Sequence, residues 1–175
     1  MFLDQELSFN TTLGVPQTVA ATADSQAIVD ITGAGVGNLP AIINGFPQTN
    51  TNVYSDYGVG DGVAVPHVIV TVPTAGTGAG TVVISVESAP DSGTGTEGAY
   101  TTLVETPALV GTSLVAGTVI DIPLPPERTG VALPRFYKLV YTVTGTFSAP
   151  LIAEIAINPA QINTFGKYSN NYIVV

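Results

Sequence analysis

The sequence has no cysteine, no tryptophan and one histidine, His67, among 175 residues. Basic residues number only four, against thirteen acidic ones, for a net charge of −9. Groups that move protons, bind metals or attack carbon are nearly missing, which argues against an enzyme. Without a basic patch there is no source of phosphate neutralisation, so nucleic-acid binding is excluded. The same charge repels anionic membrane surfaces. No run approaches the ~18 apolar residues of a membrane span. The opening Met1–Glu6 lacks the basic start and apolar stretch of a signal peptide, so the expectation is a soluble protein made in the cytoplasm. The absence of cysteine is compatible with a reducing or an oxidising compartment. A chain of this length buries enough surface to fold without a disulfide or metal staple. Charged residues make up 10%, well below the roughly 25% of ordinary soluble domains. The polar surface must therefore come from Thr, Ser, Asn and backbone.

What is present is a series of short Val/Ile/Thr runs with period-two alternation, separated by Gly, Pro, Ser and Asp. Residues 5–9, 15–22 and 27–31 read as short strands. Val65–Val72 places Val68, Val70 and Val72 on one face and His67, Ile69 and Thr71 on the other. Thr81–Glu87 alternates likewise, and the Gly-rich segment between them reads as the turn of an antiparallel hairpin. Further runs stand at 100–105, 108–115 and 118–122. Arg135–Thr144 puts Tyr137, Leu139, Tyr141 and Val143 on one face. In Phe147–Ile157, Leu151, Ala153, Ile155 and Ile157 face inward and Glu154 faces water. No window holds the i, i+3, i+4, i+7 pattern of a helix. Eight to ten short strands with regular turn signals predict an all-β fold, a jelly-roll-type antiparallel β-sandwich. The sandwich spans residues 1–157. It includes a loop insertion at about 38–62, where Pro40, Gly45, Pro47, Gly58, Gly60 and Gly62 disfavour regular structure. Residues 158–175 read as an extended C-terminal arm.

Candidate chemistry is sparse. Ile28–Gly37 runs into GAGVG, but Asn38-Leu39-Pro40 cannot open the helix that a dinucleotide fingerprint requires. Asp56 and Asp61 lack the alternating oxygen ligands and closing Glu of a calcium loop. His67 sits inside a strand pattern with no nucleophile elbow nearby. Asp4 and Glu6 read as solvated charges on an edge strand rather than a glycosidase pair. No cofactor or metal is called for. The aromatic residues outside the strand pattern are better candidates, because they offer large contact area at low entropic cost. Phe46, Tyr54 and Tyr57 in the insertion, and Phe165, Lys167, Tyr168 and Tyr172 in the arm, are the candidate protein-interface residues. The arm could equally fold back on its own domain.

Several segments read together resemble the capsid cement, or decoration, proteins of tailed bacteriophages. The likeness runs through Leu3–Phe9, Ala27–Ile31, Val59–Gly62 leading into Val65–Val72, and Thr81–Glu87. It is clearest at Leu114–Thr118, Ile122–Pro125 and Arg135–Val143. The order and spacing of these pieces carry it, over roughly two-thirds of the chain. The Leu39–Asp56 insertion and the segment after Ile157 are longer than that pattern. The resemblance implies a non-enzymatic jelly roll on the exterior of the virion. Its implied partners are the major capsid protein and further copies of itself, as a dimer or a trimer. A carbohydrate-binding or adhesin-like sandwich is the alternative, with Tyr54, Tyr57 and Tyr100 as a platform.

Overall fold

The computed structural model describes residues 8–30, 42–43, 46–47, 66–92, 95–125 and 135–157. Strands form where the alternating runs stand. In chain order they are β1 (Gln17–Val19), β2 (Ala23–Asp24), β3 (Val29–Asp30), β4 (Ile42–Ile43), β5 (Phe46–Pro47) and β6 (Pro66–Thr71). They continue as β7 (Thr81–Ala89), β8 (Thr101–Glu105), β9 (Leu109–Val110), β10 (Val119–Pro123), β11 (Phe136–Thr144) and β12 (Ala149–Ile157). Among the described residues the only helical element is a 3-10 turn at Gly111–Ser113.

Ten of these strands build two antiparallel sheets, and β4 and β5 pair with each other in a third, two-stranded one. In the first the order is β1-β12-β6-β10; in the second β11 and β7 are central, flanked by β2 and β3 on one side and β8 and β9 on the other. The pairings are nested. The outermost strands β1 and β12 pair, then β2 and β3 with β11, then β6 with β10, and innermost β7 with β8 and β9. The chain thus behaves as one long hairpin of strands rolled into two layers. The all-β antiparallel sandwich read from the sequence is the fold.

The two inner faces supply the core. Val19, Val68, Val70, Val72, Leu151, Ala153 and Ile155 come from the first sheet side, and Val29, Val82, Ile84, Val86, Leu139 and Tyr141 from the second. Each fully buried aliphatic side chain contributes about 1.5–3 kcal/mol relative to exposure. Alternation places these residues because successive side chains on a strand point to opposite faces. A register shift opposite Val86–Glu87 leaves Leu103 as an extra residue in β8. Both Leu103 and Val104 then pack on the core, as a β-bulge permits.

Two expectations are corrected. The segment after Val72 does not close a hairpin: β6 belongs to the first sheet and β7 to the second. Residues 73–80 are a crossover between layers. They are stitched to the β11–β12 connection by Thr77 N–H to Ser148 O (2.7 Å), Ser148 N–H to Thr77 O (3.0 Å) and Gly80 N–H to Thr146 O (2.7 Å). Gly78 has φ +89, and a Cβ there would stand 2.2 Å from Thr146 O. The glycines are needed for that close approach and not for a two-residue hairpin turn. The second correction lies in the expected loop at 38–62, where Ile42–Ile43 and Phe46–Pro47 form a short antiparallel ladder.

Candidate interaction surfaces

With the inner faces closed, interaction chemistry is left to the outward faces and the ends of the sandwich. The outward face of the second sheet carries a charge network. Arg135 directs its guanidinium fork at Asp30, with Nε donating to Oδ1 (2.9 Å) and Nη2 to Oδ2 (2.8 Å). Its Nη1 donates to Asp91 Oδ2 at 2.5 Å, and the group lies 4.9 Å from the Phe136 ring centroid. Asp30 stands opposite Phe136 in the ladder, and the Arg135 N–H donates to Ala89 O at 2.9 Å. One residue, through its side chain and its backbone N–H, therefore clamps β3, the end of β7 with the segment that follows it, and the start of β11. Bidentate, charge-assisted geometry of this kind is the strong form of ion pair. The bonds to Asp30 hold the Arg135 guanidinium pKa above its ordinary value.

Lys138, two residues on, donates to Asp24 Oδ2 at 2.9 Å and lies 3.5 Å from Glu87. Its ammonium also sits 4.5 Å from the Tyr100 ring centroid. The Tyr100 hydroxyl donates to Glu97 Oε2 at 2.9 Å. Burial, then the Glu97 contact, push the Tyr100 phenol above its usual range. The bond to Asp24 raises the Lys138 ammonium. Both basic residues among those described are thus held by carboxylates, and the face around them is acidic.

On the outward face of the first sheet, His67 and Asp121 meet across β6 and β10, with Nδ1 2.5 Å from Oδ1. An ionised carboxylate can only accept, so Nδ1 carries the proton. Among the described residues no hydroxyl hydrogen-bonds this imidazole, so no nucleophilic relay is assembled. Beside it the structure corrects the expectation for Glu154. Its side chain is on the outward face, opposite Ile69, yet the residue is only 7% exposed and Ile69 only 6%. Alternation identifies the face of a strand but not whether that face is covered. Burial pushes the Glu154 carboxyl up to about 6. Among the described residues no group of three or more potential metal ligands gathers.

Of the interface candidates, Phe46 lies in β5. Tyr54, Tyr57, Phe165, Lys167, Tyr168 and Tyr172 lie outside the described residues, as do the arm 158–175 and most of the insertion. The described strands that lead to these segments end together. Asp30 pairs with Phe136, Phe136 with Ala89, and Ile157 with Pro66, all at the end of the sandwich remote from the 73–80 crossover. The ion network was missed from the sequence because its partners are separated by up to 114 residues. Composition offered one clue: with thirteen acids to four cations, a cation on a folded surface readily meets a carboxylate. No family model matches the chain, and no curated protein matches it.

Proposed function

We propose that the chain is a cement protein of a tailed-bacteriophage capsid. It binds the outside of the icosahedral shell, bridges neighbouring major capsid subunits and stabilises the particle without turning over a substrate. The observation that carries this reading is the nested pairing of eight strand positions into two four-strand-wide layers, which we take as a jelly roll, the architecture of viral capsid and lectin domains. Of the segments that resemble cement proteins, Arg135–Val143 coincides with β11, Ile122–Pro125 begins at the end of β10, and Leu114–Thr118 is the connection into β10.

The electrostatics support an exterior position. Arg135 and Lys138 are engaged by Asp30, Asp91, Asp24 and Glu87, and the net charge of −9 is repelled by packaged nucleic acid. Cementing requires binding energy alone. About 800 Å² per partner is a standard specific interface, and contacts repeated around a symmetric shell gain strength through effective concentration. The glycan-binding alternative has less support, since Lys138 occupies a face of the Tyr100 ring.

The test is co-sedimentation of the purified protein with expanded empty shells of its phage, followed by thermal challenge. Saturable binding and a higher disruption temperature are expected. Shells that do not bind it, or that disrupt equally with and without it, would overturn the proposal.

A further inference from the structure

The outward face of the first sheet is closed along one row. Ser8 pairs with Glu154 in an antiparallel bridge, and Glu154 stands opposite Ile69 in the ladder. Residues directly opposite one another share a face, so all three point away from the core. They are nonetheless 2%, 7% and 6% exposed. One strand further along the row, opposite Ile69 on its other side, the Asp121 side chain is 46% exposed. The second sheet packs on the inner face. What covers Ser8, Glu154 and Ile69 therefore comes from outside the two sheets and stops short of β10.

Residues 1–7 are placed to supply the cover. They join the frame at Ser8, inside the row itself, and the junction is fixed. Phe9 N–H donates to Ala153 O at 2.9 Å. The buried Asn10 side chain accepts from the Ala153 N–H (2.8 Å) and donates to Leu151 O (3.1 Å). Ser8 to Ile69 spans two strand spacings, about 10 Å, and seven residues reach up to about 24 Å. The segment divides to suit. Met1-Phe2-Leu3 is apolar and Asp4-Gln5-Glu6 is polar, so the first three can lie on Ile69 while the next three turn in water. A second observation points the same way. Burial is the largest influence on the Glu154 carboxyl, and what opposes it is the positive charge of the amino terminus.

From this geometry we infer that residues 1–7 fold back at the sheet edge as a strap over their own first sheet, with Met1–Leu3 on Ile69 and the amino group toward Glu154. The strands of this sheet hold Glu154, Asp121 and His67 and no Lys or Arg. An α-amino group, cationic at neutral pH, is the charge such a face lacks. The rival occupant is the arm after Ile157, which leaves β12 three residues beyond Glu154, whereas Ser8 sits within the covered row. The inference stands apart from the cement reading. Where the chain also binds shells, the strap withdraws this strip from them and leaves the outward face of the second sheet and the ends of the sandwich for contact.

The test uses the purified full chain without shells. Nuclear Overhauser spectra should show cross-peaks between the Phe2 or Leu3 side chains and the Ile69 methyls. A sample mixing labelled and unlabelled chains should show none between molecules. Acetylating the amino terminus removes its charge, so the Glu154 carboxyl, followed by carbon NMR, should titrate at higher pH than in the unmodified chain. Because the chain has no cysteine, Ile69→Cys gives a single reporter. Adding Leu3→Asp should speed its reaction with a thiol reagent at least about tenfold, worth roughly 1.4 kcal/mol. Cross-peaks to Ile69 from Phe165, Tyr168 or Tyr172 instead, cross-peaks only between molecules, or a Glu154 titration unmoved by acetylation would overturn the inference. If the Ile69→Cys chain misfolds by circular dichroism, the cross-peaks and the acetylated wild type decide.

Discussion

Replacing Glu154 with Gln tests the claim that a carboxyl is buried on an outward face. Burial raises this group from 4.5 to about 6. A raised acid is protonated in the folded chain while the unfolded chain has already ionised. Its contribution is therefore full below the unfolded value and is lost as pH rises through about 6. The rise corresponds to ~2 kcal/mol of ionisation cost carried by the native state at neutral pH. Glutamine has nearly the same shape and no such cost. Glu154→Gln should therefore match the wild type near pH 4 and exceed it by up to ~2 kcal/mol above about pH 7, or about 5 °C in Tm for a domain of this size. Urea unfolding of both proteins across that range measures the difference directly. A glutamine variant less stable than wild type at neutral pH, or a difference that does not change with pH, would refute the reasoning.

Two further substitutions probe the frame. Gly78→Ala places a Cβ 2.2 Å from Thr146 O at φ +89, whereas Gly117→Ala meets open space at φ +85. Urea unfolding should show a loss of about 3 kcal/mol at 78 against about 1 kcal/mol at 117; equal losses would mean the crossovers are not tightly apposed. Arg135→Lys keeps the charge but loses the fork onto Asp30, and should cost about 2 kcal/mol, with Arg135→Met costing more because Asp30 and Asp91 lose their shared cation. An unchanged midpoint in Arg135→Met would show that the clamp does not stabilise the fold.

The strands were legible because period-two alternation is a local signal. Val68, Val70 and Val72, and Tyr137, Leu139 and Tyr141, fall on the faces read for them. What local pattern cannot carry is partnership. A Gly-rich stretch between two strong strands reads the same whether it closes a hairpin or crosses between layers. Only the distant pairing of β6 with β12 and of β7 with β11 separates the two cases. Glu154 shows the same limit, since burial depends on what lies over a face. The candidate aromatics were chosen for standing outside the alternation, and all but Phe46 fall outside the described residues.

Rolling nested pairs into layers has a consequence for biosynthesis. The middle of the second sheet needs β11 and the middle of the first needs β12, the last two of the described strands in chain order. Until residue 157 has left the ribosome, β1 and β6 lack the strand that joins them, and β2 and β7 wait on β11. Contacts of such long sequence separation make folding slow. The nascent chain must stay soluble through that delay with its valine-rich strands unpaired, a hazard of aggregation that an acidic composition helps to hold off.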